Sequence, residues 1–320
     1  MTIVCGDTLP LTAQGQRLDQ ALAQLFPQYS RSYLQTLLAN GLISVNERNH
    51  LKANTRVQGG EAIMLVLLPT DVSNCIAQDL ALNIVCDDAD LIVINKPAGL
   101  VTHPGAGNPD STLQNALLHY DSALATLPRA GLVHRIDKDT SGLLVVARNL
   151  IAHTALVRAL AQHQVQREYL ALVQGNVIAG GTVDAPLGRD PHHRTKMAVV
   201  LNGKPAVTHY RVAERFRGHT LLRVQLETGR THQIRVHLAH RGYPLVGDPA
   251  YGARLRLPLK ATAALTENLR QFKRQALHAT RLSLTHPRTG EVCAWEAPLP
   301  TDLHHLLALL REDAQHHVGI

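Results

Sequence analysis

The chain has 320 residues, 45% hydrophobic and 18% charged, enough for two globular units, and without a run of about 18 apolar residues a membrane-spanning helix is not expected. Met1 to Leu11 has neither the basic start nor the apolar core of a leader, and Cys5, Cys75, Cys86 and Cys293 form no CxxC pair. A zinc ribbon is therefore excluded, a disulfide framework is not expected, and the cytoplasm is the expected location. The net charge of +7 and pI of about 9.4, carried by 25 Arg and 7 Lys, favour polyanions, which guanidinium groups grip bidentately.

Residues 1–14 read as an extension. Leu18, Ala21, Leu22 and Leu25 then recur at helical spacing, and Pro27 ends that helix. Ser30 or Ser32 is placed to cap a second helix carrying Leu34, Leu37 and Leu38, which Asn40-Gly41 stops. Leu42 to Val45 alternates as a strand, Asn46 to Asn49 turns, and Ala62 to Leu68 forms another strand after Gly59-Gly60. Pro69 to about Leu80 is polar and aperiodic. The expected division is a first unit over 15–70, a linker over 71–80 and a larger unit over 81–320.

In the larger unit Leu91–Ile94, Leu143–Ala147, Tyr169–Val173 and Leu221–Leu226 are apolar runs suited to strands, and Ala152 to Gln162 is helical. Leu282–Leu284 and Val292–Trp295 flank a Pro-Arg-Thr-Gly turn and form a hairpin. Leu303, Leu306, Leu307 and Leu310 lie on one face of a last helix, capped by Thr301 or Asp302. Many turn-linked strands with irregularly placed helices predict an α+β fold with a mostly antiparallel, mixed sheet.

Polar and ionisable residues crowd Leu132 to Gly142 (LVHRIDKDTSG), between two apolar stretches. A carboxylate at such a strand end, beside cations, stays ionised. It can serve as a nucleophile or hold a salt-bridged turn, and physics alone puts the structural turn first. Gly105 to Pro109 lacks the third glycine of a dinucleotide loop. The pairs His192-His193, His304-His305 and His316-His317 are adjacent residues that point apart, so no metal site is expected. Arg189, Arg194 and Lys196 form a basic loop suited to gripping RNA. Arg254, Arg256, Lys260, Arg270, Lys273 and Arg274 form a later cluster that a solvated face explains equally well. With aromatics at 3%, recognition of RNA would depend on shape and phosphate.

The segment His134-Arg135-Ile136-Asp137-Lys138-Asp139-Thr140-Ser141-Gly142 resembles the catalytic signature of the RluA family of pseudouridine synthases, although Ile136 stands where that family usually has leucine. Asn95 to Pro104, Arg167-Glu168-Tyr169, Glu227 to His237 and Pro244 to Pro249 match it in order. Arg17-Leu18-Asp19 and Ser30-Arg31-Ser32 resemble an S4 RNA-binding domain, so the likeness spans nearly the whole chain. Within the family it lies nearest the bacterial enzymes of 23S ribosomal RNA.

The resemblance implies uridine isomerisation in ribosomal RNA of the large subunit or its precursor, without a cofactor, by a monomer. It makes Asp137 the nucleophile, adding to the base or assisting cleavage through the sugar. Arg235 would pair with it, and Tyr169 would stack on uracil and accept the final proton. Arg135 would evict the nucleotide, Ile136 and Val246 would wall the pocket or pack the core, and Arg230 would contact RNA. In the S4-like unit Arg17, Arg31, Lys52 and Arg56 would hold phosphates. His232 and His237 become pocket supports, and Gln233 to His237, which fits either a strand or a helix by pattern, becomes a helix ended by Gly242. The competing readings are the same chemistry on transfer RNA or another ribosomal site, a non-catalytic RNA-binding assembly factor, and a glycosidase using Asp137 with Asp139.

Overall fold

The computed structural model describes residues 3–26, 29, 31–67, 75–105 and 107–316. Pro27, Ser30 and residues 68–74, with the expected helix stop, one expected cap and part of the linker, lie outside the described residues. Strand β1 (Ile3–Thr8), helices α1 (Leu18–Leu25) and α2 (Arg31–Ala39), and strands β2 (Ile43–Val45) and β3 (Ala62–Leu67) make up the first unit. Its antiparallel sheet has the order β1-β3-β2. Residues 3–8, expected as part of an extension, instead form an edge strand; its partner lies some 60 residues away (Ile3 opposite Leu67), so the sequence nearby carries no signal of it. Helix α2 begins at Arg31, which places Ser32 inside the helix. Leu18, Ala21 and Leu22 of α1 meet Leu34, Leu37 and Leu38 of α2 over Ile43, Ile63 and Leu65 of the sheet, a core of its own.

The larger unit runs β4 (Ile84–Asp87), β5 (Leu91–Lys96), α3 (Leu113–Tyr120), β6 (Ser141–Ala147), α4 (Leu150–Ala161), β7 (Gln166–Gln174), β8 (Gly181–Asp184), β9 (Leu187–Arg189), β10 (Met197–Val199), β11 (Val207–Arg215), β12 (His219–Leu226), α5 (Gln233–His240), α6 (Ala263–Gln271), β13 (Leu277–Thr285), β14 (Val292–Glu296) and α7 (Thr301–His316). Helix α7 begins at Thr301, which places both expected caps inside it. Nine strands form one sheet in the order β4-β5-β6-β13-β7-β12-β11-β8, with β14 beside β13, and β9 pairs with β10 as a separate hairpin. The sheet is antiparallel except where β6 meets β13.

Strands β5 and β6 are apolar at every central position because both faces are covered. Ile92, Ile94, Leu144 and Val146 face a core closed by Leu113 and Leu117 of α3. Leu91, Val93, Leu143 and Val145 face a second, closed by Ala152 and Leu156 of α4. The parallel contact needs Gly142: its φ is +113°, and a Cβ there would sit 2.2 Å from the Ala279 carbonyl oxygen. That close approach delivers the preceding polar segment, residues 134–140, to the middle of the sheet. Among the described residues no helix is long and apolar enough to cross a membrane.

Candidate active site

Asp137 lies in the loop that enters β6, and this loop is held from both sides by the 96–102 segment. Lys96, buried at the end of β5, donates from Nζ to the carbonyls of Pro97, Leu100 and Lys138 at 2.7, 2.8 and 2.9 Å. The Gly99 amide also donates to the Lys138 carbonyl, and the Thr102 hydroxyl donates to the Ile136 carbonyl at 2.8 Å. The carbonyls of both neighbours of Asp137 are thereby fixed. Burial pushes the Lys96 ammonium down to about 7, against the charges of Asp139 and Asp137. His134 accepts the Val145 amide at 3.0 Å, and burial holds its ring down at about 3, so it stays neutral.

Arg235 is presented to Asp137 by the first turn of α5. Gln233 locks that turn to β11, donating to the Val207 carbonyl and Thr208 hydroxyl, both at 2.9 Å, while accepting from Thr228 and the Arg230 amide. The expected helix is present, and Gly242 follows it at φ +81°. From Arg235, Nη1 donates to Asp137 Oδ2 at 3.0 Å, whereas Nε and Nη2 donate to the two oxygens of Asp248 at 2.8 Å each. Asp248 also takes the amides of Ala250 and Tyr251. Side-chain exposure is 0% at Asp248, 7% at Arg235 and 16% at Asp137, so the buried carboxylate aims the cation and only the outer carboxylate reaches the opening. Burial opposes the charge on each inner partner. The bonds to Asp248 nonetheless raise Arg235, and the bonds from Arg235 hold the Asp248 carboxyl below its ordinary range.

Tyr169, on β7 at the centre of the sheet, forms the cavity wall with Ile136 and Leu277. Burial pushes its phenol up, with Asp137 adding to the rise and Arg167 opposing it. His232 is held at a left-handed φ of +55° at the start of α5 and shares a 2.8 Å hydrogen bond between Nδ1 and the Tyr251 hydroxyl. Its Nε2 is 3.9 Å from Asp137. Burial lowers the His232 ring, Asp137 pulling it back. The Tyr251 hydroxyl accepts the Met197 amide at 2.8 Å, and its ring lies 5.0 Å from the Arg235 guanidinium carbon.

Of the expected site residues, Arg135, Ile136, Asp137, Tyr169, Arg230 and Arg235 line one cavity. Ile136 both walls it and belongs to the core, whereas Val246 is buried in the core built by α6 and α7 and does not line it. His237 is fully buried, bonded to Thr208 and the Ala185 carbonyl, and supports α5. Arg189, Arg194 and Lys196 lie on the β9–β10 hairpin; Arg189 bonds the Arg194 carbonyl and Lys196 the Ala250 carbonyl, beside Tyr251. In the first unit Lys52 and Arg56 are exposed, Arg56 bonding the Gly15 carbonyl. Arg17 and Arg31 are not free cations: both hydrogen-bond the fully buried Asp19, keeping side-chain exposures of 40% and 44%.

The pairing expected of a glycosidase is not formed. Asp137 faces an arginine, and Asp139 does not line the cavity. Elsewhere Asp88, Asp90 and His286 bring ligand atoms within 4.8 Å of one another, but Arg288 occupies Asp90. Sequence reasoning assigned no role to Lys96, Thr102, Arg167, Asp248 or Tyr251. For the first four the signal available was a polar residue inside a quoted motif, whereas Tyr251 lies just beyond the last motif and carried none.

Profiles of two families match the chain: RNA pseudouridylate synthase over residues 90–240 and S4 domain over residues 16–63. Ribosomal large subunit pseudouridine synthase D of Vibrio cholerae is 55% identical over 301 residues, covering 94% of this chain and 93% of the relative. The protein of the same name from Pseudomonas aeruginosa is 53% identical over 311 residues, 97% of each chain. The chain belongs to the RNA pseudouridine synthase family. Among solved structures, human RNA pseudouridylate synthase domain containing 1 superposes with a TM-score of 0.56 at 28% identity, covering 73% of this synthase and 89% of that chain. Human domain containing 4 gives 0.56 at 28%, covering 72% and 93%. The synthase thus carries an N-terminal S4 domain ahead of an α+β catalytic fold.

Proposed function

We propose that the synthase isomerises uridines in large-subunit ribosomal RNA or its precursor, in the cytoplasm and as a monomer, with Asp137 as nucleophile. The observation that carries the assignment is the Asp137–Arg235–Asp248 chain at the mouth of a cavity walled by Tyr169. The substrate class follows from the names of the relatives. The proposed division is an S4 unit at 15–70, joined by β1, a linker at 71–80 and a catalytic unit at 81–320.

Arg135, exposed beside the opening, takes the place of the evicted nucleotide in the RNA. The flipped uracil lies on Tyr169. Asp137, ionised and aimed by Arg235, attacks the sugar or the base, and the N1–C1′ bond breaks. The uracil turns, C5 bonds to C1′, and Asp137 is released. The C5 proton passes to the Tyr169 oxygen as the phenol hands its own proton to the freed carboxylate, and that carboxyl gives a proton up to N1 through solvent, which restores the carboxylate. Burial of Tyr169 suits this relay, since it keeps the phenol neutral before and after. No atom is gained or lost.

The D137N variant should bind RNA with native affinity and form no pseudouridine. Isomerisation at the native rate in that variant overturns the assignment. Mapping pseudouridines in total RNA from cells with and without the protein should reveal losses confined to the large subunit. Losses in transfer RNA would reassign the substrate.

A further inference from the structure

Arg167 precedes Tyr169 by two residues, on the same face of β7, and its guanidinium has no counter-ion among the described residues. It is 9% exposed, its Nε meets no acceptor among the described residues, and its one hydrogen bond is long, 3.4 Å from Nη2 to the Glu227 carbonyl. The adjacent acid, Glu168, is taken by Arg223 and Gln225. Gly229 makes room for the group: a Cβ there would stand 2.6 Å from Arg167 Nη1. Arg235, in the same cavity, is held by two carboxylates. A buried, unpaired cation is costly to keep. This one lines the cavity that holds Asp137 and Tyr169, so its acceptor arrives with the substrate.

The structure assigns to Arg167 the negative charge that develops on the uracil during isomerisation. The assignment rests on the reading of Asp137 as nucleophile. When Asp137 bonds C1′, the N1–C1′ pair stays on the ring and spreads to the carbonyl oxygens O2 and O4. When Asp137 bonds C6 instead, the C5–C6 electrons move onto O4. On either route charge grows on carbonyl oxygens, and it returns to carbon when C5 bonds C1′ and Asp137 leaves. Guanidinium donors bind such an oxygen more tightly as it becomes anionic, which lowers the barrier and not merely the binding energy. Cytosine sets an amino donor where uracil has O4, and a guanidinium facing that edge rejects it.

The test compares native, R167M and R167K enzymes in single-turnover reactions on RNA from cells lacking the protein, with melting temperatures and RNA affinities measured alongside. R167M should fold with a melting temperature at or above native, because it removes a buried unpaired charge. It should bind RNA within about three-fold of native and isomerise about 100-fold more slowly, the usual loss for one donor to a developing oxyanion. R167K, which keeps the charge without the fork, should fall between. In R167A, added ethylguanidinium should restore the rate saturably, and ethylammonium should do so less well. A native single-turnover rate in R167M overturns the inference. So does failure of R167M to fold, which would make the cation structural, and so does a slow R167A that no guanidinium rescues. D137N assayed in parallel separates the two claims: native activity there removes the nucleophile reading itself, whereas inactivity there with full activity in R167M removes only this one.

Discussion

Asp248 decides where Arg235 points, although it touches nothing that reacts. Its carboxylate is fixed by two backbone amides, and it spends both oxygens on the guanidinium, leaving Nη1 for Asp137. An amide at this position can accept from Arg235 once but cannot accept twice in the same plane. D248N should therefore leave RNA affinity near native and slow the single-turnover rate by about 100-fold through misplacement of the nucleophile. Denaturant unfolding of the same variant should show a loss of about 3 kcal/mol, since a buried cation loses a charged partner. A native rate in D248N would mean that Arg235 is aimed by packing alone.

Helices α1 and α2 are clamped by one buried carboxylate. Asp19, 0% exposed, accepts from Arg17, Arg31 and, at 2.6 Å, Gln35, which ties the start of α1 to the first turn of α2. Burial works against its charge, but these bonds outweigh it and hold the carboxyl well below its ordinary range. A carboxylate with a depressed folded pKa binds its proton more readily when unfolded. Its stabilisation is thus complete above the unfolded value of about 4 and is lost as pH falls through the folded one. The difference in stability between native protein and D19N should be constant from pH 7 to about 5 and shrink below about 4. Unfolding monitored across this range checks it; a difference independent of pH down to 2 would assign the clamp to hydrogen bonding without charge. The same geometry holds Arg17 and Arg31 in place while leaving each side chain about two-fifths exposed.

At the scale of the molecule, positive charge lies on both units, on Lys52 and Arg56 in one and on the β9–β10 hairpin in the other. The hairpin is not independent of chemistry: the Met197 amide and the Lys196 side chain bond Tyr251 and Ala250, next to Asp248. Replacing Arg189, Arg194 and Lys196 by glutamine tests whether these three cations contact phosphates. The plot of log affinity against log salt should become shallower by roughly 2, at about 0.7 per contact on single-stranded RNA. An unchanged slope would place the RNA elsewhere on the surface.

Periodicity in the sequence determined α1, α2, β5, β6 and α4, because each buries an apolar face whose spacing is local. The motifs determined the segment around Asp137 and, through likeness to a family, its association with Tyr169 and Arg235, which lie 32 and 98 positions further on. Three things were decided only by the tertiary structure. Strand β1 exists because β3 offers it an edge. The 96–102 segment clamps the peptides around Asp137 because β5 and β6 are neighbours in the sheet, so Lys96 reaches the Lys138 carbonyl 42 positions away. Arg17 and Arg31, alike in sequence to free phosphate ligands, are tied to Asp19, while Arg167, alike to any strand arginine, has no counter-ion among the described residues. Charge pairing and burial depend on which side chains the fold brings within about 3 Å of one another, and that distance is set by long-range packing and by no local pattern.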